Sequence, residues 1–335
     1  MSTTVAFALV VISIATVAIW IGSGWLEGAS AKLSIHYSLP PVVQGGIIAA
    51  AGSSFPELAS VIFAALAGSF ELGVGAIIGS AIFNVLVIPA LVVVVSDRPI
   101  STTRTVVHKE TLYYMFAVVL LFLTFALALI YSPAGEMAGE LTRNLVALPL
   151  VGYLLYLFLQ WQDTADFTGH TGTPSIDPLR EFGWLVAGLA VILVAVHQLV
   201  ESVLVIGELT GTPDFFWGII IVAAATSLPD ALVSVQAADN ERDVASIANV
   251  MGSNTFDLLV VIPIGVLLTG AATINFVITA PMMGVLGLST VLVFVLLRTD
   301  LLLTKREAYV LLSAYGVFTV WVLLEALAIM QLLSG

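Results

Sequence analysis

The sequence predicts an all-α polytopic membrane protein with ten transmembrane helices arranged as two inverted five-helix repeats. Three observations predict it. Of 335 residues, 60% are hydrophobic and only 10% are charged, against about 25% charged in an ordinary soluble domain. Apolar runs of about 20 residues, the length that spans a hydrocarbon core, recur along the whole chain. Two stretches of the first half also match two stretches of the second at a constant separation.

Hydropathy and breaker residues place the spans at 5–26, 42–67, 73–96, 111–132, 143–161, 182–207, 215–238, 245–269, 273–297 and 306–332. The first apolar run lacks a basic flank and exceeds a signal-peptide core, so it reads as span 1. The longest polar connection, 162–181, links a first unit (1–161) to a second (182–335). One set of loops holds Lys32, Arg98, Arg104, Lys109, Arg180, Arg242, Arg298, Lys305 and Arg306, whereas the opposite set holds only Arg143. That bias predicts a cell-membrane protein with both termini outside the cytoplasm. An odd number of spans per half turns the second half upside down relative to the first. Trp20, Trp25, Trp161, Trp184 and Trp217 fall near predicted span ends, where interfacial anchors belong.

Composition excludes several functions. With no cysteine there is no disulfide, thiolate metal site or cysteine nucleophile. A net charge of -12, with acid gathered in loops such as 163–181 and 239–243, does not suit nucleic acid or anionic lipid as a partner. The bilayer itself is the solvent.

The repeat carries the chemistry. G-I-I-A-A-A-G-S-S-F-P-E-L at 46–58 and G-S-A-I-F-N at 79–84 answer to G-I-I-I-V-A-A-A-T-S-L-P-D at 218–230 and G-S-N-T-F-D at 252–257. The pairs Ser53/Thr226, Pro56/Pro229, Glu57/Asp230, Ser80/Ser253 and Asn84/Asp257 are all separated by 173 residues. Fainter similarity joins Gly24-Trp25-Leu26-Glu27 to Gln198-Leu199-Val200-Glu201, at a separation one residue longer.

Glu57, Asp230 and Asp257 fall near the centres of spans 2, 7 and 8. A charge at that depth costs about 2.5–3.5 kcal/mol even on a lenient insertion scale, and no basic residue shares the depth. The acids are therefore expected to face one another and share cations. Ser53 and Glu57, Thr226 and Asp230, Ser80 and Asn84, and Ser253 and Asp257 are each spaced i, i+4, which puts a hydroxyl one turn from a carboxylate or amide on one helix face. Such oxygen ligands suit calcium and sodium; the absence of interleaved cysteine or histidine argues against zinc or copper. Pro56 and Pro229 lack the N–H that would bond the carbonyls of Gly52 and Ala225. Carbonyls around 50–53 and 223–226 are then free to complete a cation shell. Gly45, Gly46, Gly73, Gly75 and Gly79 permit close helix packing.

Other polar residues read as structural. His197 and Glu201 are one turn apart and suit a helix interface or a wet cleft better than a metal pair. Glu27 and Glu325 fall near span ends, where interfacial water serves them. His36, His108 and His170 fall in loops.

These motifs resemble the alpha-repeats of the calcium/cation antiporter superfamily, and within it the sodium/calcium exchanger family, whose usual forms are G-T-S-[LVI]-P-E and G-S-N-[IV]-F-[ND]. The resemblance implies antiport of sodium against calcium by alternating access, with no cofactor. It implies calcium on Glu57 and Asp230, aided by carbonyls near Ser53 and Thr226. Sodium sites would use Ser54, Ser80, Ser227 and Ser253, with the carbonyls of Ala50 and Ala223. Asn84 and Asp257 would flank the centre, and spans 1 and 6 would slide across the remaining bundle. Ser53, Phe55, Ala81 and Asp230 depart from the usual forms, and the combination is similar to potassium-dependent exchangers. Potassium co-transport and proton exchange stay open. The serines favour sodium over protons, and paired broken helices favour a carrier over a channel. No H-E-x-x-H, G-x-G-D or serine–histidine pair suggests a membrane-embedded enzyme.

Overall fold

The computed structural model describes residues 2–37, 50–104, 106–164, 176–239 and 243–327. Among these, eight helices are long and apolar enough to cross a membrane. Six are single helices: α1 (Ser2–His36), α4 (Phe70–Val95), α5 (Thr111–Tyr131), α7 (Pro178–Thr210), α12 (Phe276–Arg298) and α13 (Lys305–Ala326). Two are composite. One joins α8 (Asp214–Trp217), a π-type turn at Gly218–Val222 and α9 (Ala223–Asp239); the other joins α10 (Asp243–Phe256), a π-type turn at Asp257–Val261 and α11 (Ile262–Thr269). Two predicted spans are shorter. Span 42–67 is α2 (Ala50–Ser53) and α3 (Phe55–Leu66), with Gly45, Gly46 and the remainder of 42–49 outside the described residues. Span 143–161 is α6 (Ala147–Thr164), whose last turns carry Gln160, Gln162 and Asp163. His170, Arg242, 165–175 of the central connection and 328–332 of span 10 also lie outside the described residues.

Helix α1 runs well past its predicted end at 26, to His36. Residues 27–36 lose hydrophobicity but contain no proline, so hydropathy ends the span before the backbone ends the helix. The extension moves Glu27 from a helix end to a helix interior. At 1.5 Å per residue, α1 and α7 are each about 50 Å long, longer than the roughly 30 Å hydrocarbon core. The two run antiparallel, with Trp25 against Trp184 at 5.1 Å and Lys32 against Glu181 at 3.1 Å. They meet through glycine: a Cβ on Gly188 would lie 2.7 Å from the Gly22 carbonyl oxygen. Small side chains, Ala59, Ala64, Ala76 and Ala225, make much of the surface on which this pair rests against α3, α4 and α9.

At the centre of the remaining bundle, α4 is buried on nearly every face and, Ser80 and Asn84 apart, apolar along its buried length. Two short antiparallel ladders, which hydropathy does not reveal, tie the halves together. β1 (Ile100–Ser101) pairs with β4 (Leu302–Leu303), and β2 (Ala138–Thr142) pairs with β3 (Ala271–Asn275). Each joins a connection in the first half to one in the second.

Ion pairs lie at residues of the predicted cytoplasmic set: Lys32–Glu181, Lys305–Asp97 and Arg98–Asp243. The Arg98 guanidinium bonds both Asp243 oxygens, at 2.8 and 2.9 Å, and the Ser101 amide adds a bond at 3.0 Å. These bonds, Arg98's first, hold the Asp243 carboxyl below the ordinary aspartate range. A carboxyl depressed by folding contributes stability above its unfolded pKa, about 3.9, that is lost as pH falls through the lower folded value. The unfolding temperature of the purified protein should therefore fall on acidification below about pH 4. Asp243→Asn is expected to be less stable at neutral pH and to show a shallower acid slope. Identical slopes in the two proteins would remove Asp243 from this account.

Candidate functional site

The two motif stretches reach the site by different local routes. In the first half the helix breaks: α2 ends at Ser53, Ser54 has φ -87° and ψ 9°, and α3 begins at Phe55 with Pro56 in its first turn. Proline is favoured there because its missing N–H would have no partner anyway. In the second half the expected matching break is not found. Helix α9 continues through Pro229, and the distortion lies upstream in the π-type turn at Gly218–Val222. The Thr226 hydroxyl donates back to the carbonyls of Val222 at 3.1 Å and Ala223 at 3.4 Å. Those oxygens are thus partly engaged, a correction to the expectation that the proline leaves this stretch open.

The fold brings the predicted side chains into one buried cluster. Ser53, Ser54, Glu57, Ser80, Asn84, Thr226, Ser227, Asp230, Ser253 and Asp257 are all 3% exposed or less. Ala223 is buried beside them, and Ala50 begins α2. Their contacts are reciprocal, both within each half and between the halves. Ser80 Oγ lies 3.4 Å from Glu57 Oε1, and its counterpart Ser253 faces Asp230. Asn84 Nδ2 donates to Asp230 Oδ2 at 3.1 Å, and its counterpart Asp257 acts electrostatically on Glu57. Ser53 approaches Asp230 as Thr226 approaches Glu57. The Ser80 and Ser227 hydroxyls meet at 2.7 Å.

Several oxygens in this cluster are buried without a hydrogen-bond partner: Ser54 Oγ, Glu57 Oε2, Asn84 Oδ1, Asp230 Oδ1 and both carboxyl oxygens of Asp257. Buried polar atoms left unpaired are costly, charged ones most of all. Among the described residues no Lys, Arg or His makes an ion pair with these acids. Unsatisfied acceptors gathered without a basic partner fit hard cations. Among the described residues, no three His, Cys, Asp or Glu side chains make a metal cage on their own. Calcium takes about six to eight oxygens, so a calcium ion here would need hydroxyl, amide and carbonyl oxygens as well as carboxylates.

Two polar residues were not among the predicted site residues. Asn254 accepts from Asn84 Nδ2 at 2.9 Å, and its own amide reaches the Ala81 carbonyl at 3.3 Å and the Tyr114 hydroxyl at 3.4 Å. Its signal was the motif G-S-N-T-F-D, in which Asn254 answers to Ala81 at the same 173-residue separation. Because alanine stands at 81, Asp257 has no amide like the one Asn254 offers Asn84. Tyr114, fully buried on α5, had no signal in the sequence. Asn254→Ala is expected to destabilise the protein by about 1–3 kcal/mol, because it strands buried polar groups. An unchanged unfolding temperature would mean that this network does not hold α4 to α10.

Other residues stand apart. His197 and Glu201 are exposed on α7, with the His197 ring edge-on to Phe63 at 5.0 Å. Glu325 is buried in the last turn of α13, and Glu27 is half-buried, so neither has the interfacial exposure that their predicted positions implied.

A multi-pass membrane protein in which both halves supply carboxylates, hydroxyls and amides to one buried cluster has the build of an ion carrier. The chain belongs to the sodium/calcium exchanger protein family, a family of transporters, whose profile matches residues 7–162 and 180–324. It is 24% identical over 340 residues to the sodium/calcium exchanger MaX1 of Methanosarcina acetivorans, covering 89% of this chain and 93% of that one. Among solved structures it resembles the sodium-calcium exchanger NCX_Mj, with a TM-score of 0.64 at 20% identity over 93% of this chain and 97% of that one. It also resembles the H+/Ca2+ exchanger CAX, with a TM-score of 0.71 at 16% identity over 95% of this chain and 81% of that one.

Proposed function

We propose that this chain is a secondary active antiporter that exchanges sodium for calcium by alternating access, at a site shared by two inverted five-helix repeats. The reciprocity of the site carries the reading. Each acid of one half meets a hydroxyl of its own half and a hydroxyl and an amide or acid of the other. A pseudo-two-fold axis through the cluster accounts for that pattern. The two ladders fit the same axis, because in each the connection before the fourth span of one half pairs with the connection after the fourth span of the other. The repeats then occupy 1–161 and 182–335, joined by 162–181, with alpha-repeats at about 42–96 and 215–269. The ion-paired, basic side faces the cytoplasm, and both termini lie outside it in a cell membrane.

Calcium is held by Glu57 and Asp230, with carbonyls near Ser53 and Thr226. Sodium is held by Ser54, Ser80, Ser227 and Ser253, with the carbonyls of Ala50 and Ala223. For the last of these to serve, Thr226 must give up its bond to it. Three acids carry more negative charge than one calcium ion neutralises. Asp257, with neither oxygen partnered, is the group left over, and Asn84 flanks the centre opposite it. Several sodium ions neutralise the same carboxylates, so the two cargoes compete. Helices α1 and α7, resting on small side chains, slide across the bundle to change which side is open.

The unpartnered Asp257 also favours a second reading, in which a proton or a potassium ion occupies that position during the cycle. Calcium-45 bound to the purified protein tests both. Sodium is expected to displace it with a sigmoidal dependence, because several ions replace one. Calcium that sodium cannot displace would contradict the shared site. A response of that displacement to potassium or to pH would support the second reading.

A further inference from the structure

Ser23 and Glu27, one turn apart on α1, repeat the hydroxyl-and-carboxylate spacing of Ser53 and Glu57. Ser23 is fully buried, and its Oγ has no hydrogen-bond partner. Glu27 is half-buried, with Oε1 buried and also unpartnered. Serine within a helix can bond the carbonyl four residues back, as Ser13 does with Leu9 at 2.8 Å, yet Ser23 makes no such bond. Helix α1 packs against α2 and α9, which carry Ser53 and Asp230. Asp230, whose own Oδ1 is unpartnered, acts electrostatically on the Glu27 carboxyl. Buried oxygens without partners therefore lie on both of two helices that pack together, on α1 at Ser23 and Glu27 and on α9 at Asp230.

The feature belongs to one half alone. At the corresponding place on α7 the pair is His197 and Glu201, and both are exposed. A packing role common to the two long helices would not need this difference. Glu27 also lies in the half of α1 that ends near the Lys32–Glu181 ion pair, so the first half carries a half-buried acid where the second carries an exposed one.

We propose that Ser23 and Glu27 form an additional site for a hard cation, calcium or sodium, on helix α1, from which the ion passes to Asp230. The site rests on the reading of Asp230 as a ligand of the transported ion. Because Glu27 is less buried than Glu57 and Asp230, it holds a cation less firmly than they do and serves loading of the central site more than holding. Its loss should therefore weaken apparent affinity and spare maximal turnover.

The test is calcium-45 uptake into sodium-loaded proteoliposomes, with initial rates measured across external calcium concentrations. Glu27→Gln is expected to raise the half-saturating calcium concentration about tenfold, which is about 1.4 kcal/mol, with the maximal rate kept within about twofold. Ser23→Ala should shift it in the same direction by less. Glu27→Asp, which keeps the charge, should recover most of the affinity, and that recovery also guards against misfolding as the cause. Unchanged half-saturation in Glu27→Gln and Ser23→Ala would overturn the proposal, as would a collapse of maximal rate without a change in half-saturation. Glu57→Gln run alongside separates the two readings. If it is inactive while Glu27→Gln behaves as wild type, only the α1 site fails; if it transports normally, the central site fails first.

Discussion

Glu57→Gln and Asp230→Asn are each expected to lower calcium transport by about two to three orders of magnitude. Both substitutions keep the size of the side chain and remove its charge. A buried ion that loses one charged partner loses about 3–5 kcal/mol, and each 1.4 kcal/mol is a factor of ten. The loss comes from binding, not from folding. Glu57, Asp230 and Asp257 are like charges in one buried cluster, so neutralising one relieves repulsion without opening a cavity. The variants should therefore remain monodisperse and unfold at the wild-type temperature or above it, while initial rates of calcium-45 uptake fall to background. Near-normal exchange in either variant would remove that acid from the site. A variant that is both inactive and less stable would point to a structural role instead.

The second large effect concerns how closely α4 approaches the segment that leads into α9. A Cβ on Gly218 would lie 2.2 Å from the Leu72 carbonyl oxygen, and one on Gly75 would lie 2.3 Å from that of Phe215. Both obstacles are backbone, which cannot rotate away. Gly218→Val is expected to push the helices apart and to cost about 3 kcal/mol, the upper end of the range for overpacking. Because Gly218 begins the turn that leads to Thr226, Ser227 and Asp230, transport should be lost with stability. Gly284→Ala on α12 is the control. A Cβ there meets nothing within 4 Å, and alanine favours a helix over glycine by up to about 1 kcal/mol. Unfolding temperatures of the two variants in one detergent measure the contrast. A Gly218→Val protein as stable as wild type would mean that this crossing is looser than its geometry.

Much of the site could be read in the sequence because burying a charge in a membrane is so costly that every acid at depth needs a reason. Glu57, Asp230 and Asp257 stood out against apolar helices, and the constant separation of their motifs supplied a pairing. Side-chain spacing then pointed to hydroxyls that the fold buries in the same cluster, since a helix is the same ruler in both halves. The backbone was less legible. Pro56 and Pro229 have identical local chemistry, yet one sits in the first turn of a new helix and the other lies within a continuous one. The difference depends on how neighbouring turns share the strain: a π-type turn precedes α9, and Thr226 bonds back to it. Asn254 was legible as a departure between repeats, but its part in the network depends on where α10 meets α4. Tyr114 reaches that network from α5, far away in the chain, and no local pattern marks it. Hydropathy also misplaced Glu27, because the polarity that ends an apolar run does not end a helix.

Calcium-45 uptake into proteoliposomes loaded with sodium, with sodium, potassium or a pH gradient imposed outside, tests the central claim most directly. Uptake should require internal sodium, fall as external sodium is raised, and disappear in Glu57→Gln. Uptake driven by the pH gradient and indifferent to sodium would contradict it, and would leave Ser54, Ser80, Ser227 and Ser253 without the role proposed for them.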